Sequence, residues 1–196
     1  MNVEEIKKLY QKFSGKWEEV NIFGIRNDYD DKSDLFNDQI GIATEKEVHI
    51  YQGTTDPGMW WTLHPVTYQG VTGAAHVVEG FHPHIWRVGT HASGTAFSHQ
   101  ALIQTGNSIK FWRDVDKDMV YDKKDDPIQV GYVGINCHRA GLDDPMNIGK
   151  YGAGCQVVRN HEEFKILMGI VLASESYKKE KEFARFSYLL MNKKNL

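Results

Sequence analysis

The chain has 196 residues, 41% of them hydrophobic and 12% aromatic, which suits one globular domain with a sizeable core and excludes a disordered or fibrous protein. Acidic residues number 26 against 23 basic ones, and the formal charge of -3 excludes a broad basic footprint for nucleic acid. It excludes no compact substrate, because the field in a pocket need not follow that of the whole molecule.

Residues 3–13 place Val3, Ile6, Leu9, Tyr10 and Phe13 at helical spacing and predict a short amphipathic helix that stops at Ser14-Gly15. The first ten residues hold no basic stretch, apolar run or small-residue cleavage site, so no export signal is expected. Residues 16–135 alternate short β-branched and aromatic runs with glycine-rich turns. Runs at 46–51, 74–78, 109–112 and 130–135, punctuated by Gly53, Asp56-Pro57-Gly58, Gly70, Gly73 and Gly106-Asn107, predict a β-sandwich or barrel-like body. A strand is expected to rise through Tyr132, Val133 and Ile135 and to end at His138. A glycine-bearing loop follows, and then Gly152-Ala153-Gly154-Cys155 leads into a strand at Gln156-Val157-Val158.

From about His161 the pattern turns helical. Phe164, Leu167, Met168 and Val171 form one stripe, and Phe183, Phe186, Leu189 and Leu190 form another. Two C-terminal helices are expected, over 161–174 and 176–191, with both stripes in the core. The apolar run 166–173 is far shorter than the roughly 20 residues of a membrane helix. The expected fold is a single α+β domain: an N-terminal helix in 1–15, a β-rich body in 16–158 and C-terminal helices in 159–196.

Two cysteines are too few for a disulfide framework. One bond between Cys137 and Cys155 stays open, but a reduced protein with one reactive thiol fits better. A thiol nucleophile needs a base within hydrogen-bond reach, donors aimed at a developing oxyanion, and backbone room for substrate. The glycines before Cys155 supply room and unencumbered amides. His138, seventeen residues earlier, can return beside Cys155 through one loop. If His138 faces the site, strand alternation turns Cys137 away from it. Taken singly, such a Cys or His is more often a buried structural residue; their ordering along the chain favours a site.

His138 followed by Gly154-Cys155 resembles the active-site signature of L,D-transpeptidases, a His and then Ser/Thr-His-Gly-Cys with a polar residue after it. The resemblance implies a β-rich catalytic domain, Cys155 as nucleophile, His138 as base and Gly154 in the oxyanion turn, acting on a peptidoglycan stem peptide. This chain departs from the signature in having Gly152-Ala153 where the family has Ser/Thr-His, and Gln156 follows the Cys. Thr54-Thr55-Asp56-Pro57-Gly58, Gly89-Thr90-His91, Ala101-Leu102-Ile103-Gln104, Arg113-Asp114 and Gly134-Ile135-Asn136 are similar to a phage-associated group of cell-wall lysis proteins. That likeness implies an endolysin-like hydrolase held in the host cytoplasm until it is released to the wall. The alternatives are a cross-linking L,D-transpeptidase, a zinc peptidase, and a non-catalytic wall-binding or virion protein.

Arg139 is expected to pair with a substrate carboxylate, with His91 and Gln156 as further substrate contacts. The histidines at 76, 82, 84, 91 and 99 offer no zinc-helix motif, and no metal or other cofactor is expected. Asp114, Asp116 and Asp118 match the first ligands of a calcium loop, with Asp122 and Asp125 beyond them. Met119 stands where that loop needs glycine, so a solvated hairpin is the preferred reading. Trp60, Trp61, Trp86 and Trp112 are expected in the core or along the cleft. The expected partner is bacterial peptidoglycan, with no nucleic acid, no stable membrane association and a monomeric chain.

Overall fold

The computed structural model describes residues 1–27, 34–117 and 127–196. It is a mixed α+β protein made mostly of strands. Helix α1, Val3–Lys12, coincides with the predicted N-terminal helix. Asn2 accepts from the Glu5 amide while the Glu5 carboxylate takes the Asn2 amide, a reciprocal cap that satisfies two otherwise unpaired donors. Its inner face buries Ile6 and Tyr10 against Phe23, Leu189 and Met191, and the Tyr10 hydroxyl donates to the Ile22 carbonyl at 2.9 Å.

The strands follow as β1 (Asn21–Arg26), β2 (Asp38–Ala43) and β3 (Val48–Thr54). A short helix α2 (Met59–Leu63) leads into β4 (Thr67–Tyr68), β5 (Val71–Thr72) and β6 (Ala74–Val77). Next come β7 (Gly80–His91), β8 (His99–Gln104), β9 (Ile109–Asp114), β10 (Gln129–Gly131), β11 (Cys137–Arg139) and β12 (Gln156–Val158). The chain ends through α3 (His161–Ala173), α4 (Glu175–Glu180) and β13 (Phe186–Asn192).

Eight of these strands close a barrel in the order β1-β13-β7-β8-β11-β12-β3-β2, with β10-β9-β6 forming a separate sheet. Most neighbours run antiparallel. The parallel pairs are β1 with β13 and β11 with β12. Ile22, Ile40, Trp86, Leu102, Tyr188 and Leu190 share the main core with Phe164, Leu167 and Met168 of α3.

The C-terminus corrects the two-helix expectation. The first predicted helix is α3, but only the start of the second forms, as α4. Lys181 then takes a left-handed φ of 52° and the chain re-enters the barrel as β13. Every residue of β13 is buried, because Tyr188 and Leu190 face the barrel core while Leu189 and Met191 meet α1. A strand covered on both faces loses the period-two alternation that identifies strands in sequence, and its apolar run mimics a helical stripe. Phe183, counted in that stripe, is 69% exposed. The 130–135 run is corrected as well: β10 ends at Gly131, and 132–136 is a loop before β11.

No helix among the described residues is long and apolar enough to cross a membrane.

Candidate active site

The short parallel ladder of β11 and β12 sets the site. Its register pairs Cys137 with Gln156 and His138 with Val157. Side chains alternate along a strand, so Cys137 and Gln156 share one face while His138 and Val157 share the other. One step earlier the Gln156 amide donates to the Asn136 carbonyl at 2.8 Å, which puts Asn136 beside Cys155. Asn136, His138 and Cys155 therefore occupy one face, with His138 and Cys155 as diagonal neighbours across the two strands.

The loop before β11 is held by one side chain. Gln104 Oε1 accepts from the amides of Val133, Gly134 and Ile135 at 3.2, 2.8 and 2.9 Å. Asn136 Oδ1 in turn accepts from the Gln104 amide at 2.8 Å, and Asn136 Nδ2 donates to His91 Nδ1 at 3.0 Å. Neither role was assigned from sequence. A usable signal existed for Asn136, which lies two residues before His138 and so on its face. Gln104 carried none, since its role depends on a loop distant in sequence.

His138 Nδ1 lies 2.7 Å from the Arg139 carbonyl. A carbonyl only accepts, so Nδ1 carries the proton and Nε2 is the basic nitrogen. That Nε2 is buried and has no hydrogen-bond partner. The His91 ring stacks on His138 at 3.8 Å, and His99 lies 5.4 Å from His91 and 5.8 Å from His138. Burial holds the His138 pKa well below the usual imidazole range, and the neighbouring His91 adds to the shift. Burial likewise brings His91 down to about 4, with His99 and Arg139 contributing. Near neutral pH these rings are uncharged.

Cys155 is 9% exposed, and its Sγ lies 3.5 Å from both the Asn136 amide, which donates to it, and the Gly134 carbonyl, to which the thiol donates. Burial pushes the thiol up to about 11 against the opposing effect of the Asn136 amide. No hydrogen bond joins it to His138 in this conformation. The resting pair is a neutral thiol beside a neutral imidazole, not a preformed thiolate–imidazolium couple. The two cysteines are free thiols.

The turn before the thiol requires its glycine. Gly154 has a φ of +115°, and a Cβ there would come within 2.5 Å of the Ala75 carbonyl oxygen. The Gly152 carbonyl accepts from the Gly58 amide at 2.8 Å, tying the turn to the segment after β3.

Gln156 is a correction. It was expected to touch substrate, but alternation turns it into the barrel, where it is fully buried. Its amide nitrogen donates to the Thr55 and Gly154 carbonyls, and Tyr188 donates its hydroxyl to Gln156 Oε1. Cys137 lies in the same interior. Behind this wall Arg26 pairs with Asp56 at 3.0 Å and with Glu79 at 2.9 Å, and His76 Nδ1 meets Asp56 at 2.8 Å.

Arg139 and His91 do reach the cleft. With His99, His138, Lys150 and Tyr151 they line a cavity of about 440 Å³. Trp86 and Trp112 are core residues, whereas Trp60 and Trp61 are half-buried near Lys150. His82 donates to or accepts nothing in the cleft; its ring nitrogen meets the Val78 carbonyl. No group of three or more His, Cys, Asp or Glu side chains that could hold a metal occurs among the described residues. In the acidic loop Asp114 accepts from the Lys117 amide at 2.7 Å, while Asp118, Asp122 and Asp125 lie outside the described residues.

Comparison with protein-family models, with curated proteins and with solved structures finds no match to the chain.

Proposed function

We propose that the protein is a cysteine peptidase of the bacterial cell wall, which hydrolyses peptidoglycan stem peptides through an acyl-enzyme on Cys155 at an L,D-transpeptidase-like site. The observation that carries this reading is the shared face of β11 and β12. It holds a thiol and a buried imidazole as diagonal neighbours, with the imidazole tautomer set by the Arg139 carbonyl and Nε2 left unpartnered.

In this mechanism the thiol leaves the Gly134 carbonyl as substrate enters and turns toward His138 Nε2. His138 takes the proton while Sγ attacks the scissile carbonyl carbon. The carbonyl oxygen becomes an oxyanion, and the Gly154 and Cys155 amides serve as its donors. Collapse of the tetrahedral intermediate breaks the C–N bond, and the leaving amine takes the proton from His138. Water, deprotonated by His138, then resolves the thioester, releasing a carboxylic acid and restoring the thiol. Transfer to a second amine instead of water would give a cross-link. A neutral resting pair suits general-base attack, because the proton moves only when an electrophile is present. Arg139, half-buried beside the base, takes a carboxylate of the stem peptide.

Purified peptidoglycan incubated with the protein is expected to release soluble fragments whose masses show cleaved peptide bonds and intact glycan. Cys155→Ala should abolish that release. Glycan cleavage, or equal release by the Cys155→Ala variant, would overturn the reading.

A further inference from the structure

The cavity beside His138 does not stand alone. A second one, of about 320 Å³, adjoins it and is lined by His99, Arg139, His161, Phe164, Lys165 and Leu172. His99 and Arg139 belong to both walls, so the two spaces meet at those residues. Neither is lined by any Asp or Glu among the described residues, in a chain whose acidic side chains outnumber its basic ones.

Arg139 and Lys150 form no ion pair among the described residues. Arg139 donates to the Ala140 carbonyl at 2.8 Å, and Lys150 lies over the Trp60 ring at 4.6 Å. Lys165, by contrast, is already paired with Glu162 at 2.8 Å. The same walls carry imidazole nitrogens that are buried and lack partners: Nε2 of His99, Nε2 of His138 and Nδ1 of His161. The His99 Nδ1 lies 2.7 Å from the Phe97 carbonyl, so its Nε2, like that of His138, is an acceptor. Such a cleft offers acceptors for amide N–H groups and unpaired cations for carboxylates. Buried polar atoms without partners are uncommon in folded proteins and call for a ligand or water.

We infer that the two cavities form one binding cleft for an acidic peptide, in which Arg139 and Lys150 each hold a free carboxylate and discriminate against the carboxamide form. The half lined by Phe164 and Leu172 takes the rest of the peptide along α3. This rests on the stem-peptide reading and specifies which stem peptides fit: those whose side and branch carboxyl groups are not amidated. An amide in the place of a carboxylate keeps one acceptor oxygen but loses the negative charge and puts an NH₂ donor where the second oxygen would accept from the guanidinium or ammonium.

The test is calorimetric titration of the Cys155→Ala protein with two synthetic tetrapeptides, L-alanyl-γ-D-glutamyl-diaminopimelyl-D-alanine with its carboxylates free and the same peptide with the glutamyl α-carboxyl and the side-chain carboxyl of diaminopimelate amidated. The free acid should bind at least about tenfold more tightly, the scale of one charge-assisted hydrogen bond, and the margin should shrink as salt is raised. Lys150→Met, an exposed position whose replacement leaves the fold alone, should remove part of the margin, and Arg139→Met should remove more. Equal affinity for the two peptides, or a margin untouched by both substitutions, would overturn the inference. Fragment release from peptidoglycan by the unmodified protein is measured alongside. Release without a carboxylate margin rejects this cleft assignment and leaves the hydrolase reading in place. A carboxylate margin without release upholds the acidic-peptide cleft and rejects the hydrolase.

Discussion

At the scale of single residues, Cys155, His138 and His91 are uncharged groups kept so by burial. Iodoacetamide should alkylate Cys155 slowly at pH 7, with the rate still climbing above pH 9, because burial pushes the thiol up to about 11. A rate that levels off below pH 8 would mean a preformed ion pair and would contradict the geometry. Turnover is expected to respond differently. His138→Ala should lower it by about 10²–10⁴, the usual contribution of a positioned acid–base group, while leaving the alkylation profile nearly unchanged. His138 also bears on stability. Its pKa in the folded state lies below the value of about 6.5 in the unfolded chain. The unfolded state therefore binds more protons below that value, and the stability contributed by the neutral buried ring is complete above it and lost as pH falls. The Tm of the wild type should drop between pH 7 and 5 more steeply than that of His138→Gln; parallel slopes would show that the ring titrates normally. His138 and Cys155 could be paired in the sequence because a nucleophile and a base must be particular residue types, and the structure sets the two on one face. Asn136 and Gln104 were not, because an amide side chain is informative only once the loop it braces is known. Gln156 misled for a related reason: adjacency to Cys155 in sequence means the opposite face in a strand.

At the scale of elements, the parallel β11–β12 pair and the turn before it do most to place the chemistry. Gly154→Ala tests the turn. The added methyl meets the Ala75 carbonyl and the φ of +115° is hostile to any side chain, so a loss of about 1–3 kcal/mol is expected, along with most of the activity. Denaturant titration measures the first and fragment release the second; a fully stable and active variant would show that the turn is more tolerant than its geometry implies. Helix α1 was legible because one face is wet and one is buried, which is the condition for a visible period. Of the strand runs read from sequence, 46–51 overlaps β3 of the barrel and 74–78 and 109–112 overlap β6 and β9 of the separate sheet, whereas β1, β2, β7 and β8 were not singled out. β13 was hidden by being covered on both sides, and the loop at 132–136 by β-branched residues whose amides are satisfied by Gln104 and not by a neighbouring strand.

At the scale of the whole molecule, the barrel is closed by a parallel pairing of its earliest strand, β1, with its last, β13. Until residue 192 has been made, β1 and β7 each lack one neighbour, α1 lacks the Leu189 and Met191 half of its seat, and Gln156 of β12 lacks the Tyr188 hydroxyl. Non-local pairing of this kind is slow to form and stabilises nothing until it is complete. The site is therefore expected to form only after β13 has been made. A chain still held on the ribosome short of β13 should be digested by protease and bind no acidic peptide, whereas the same chain extended by a flexible tail past residue 196 should become resistant and bind. Protection of the shorter chain would show that seven strands suffice. With the locking strand the last of the barrel strands to be made, a chain stopped short of β13 is expected to be a product without a formed cleft and not a partly active one.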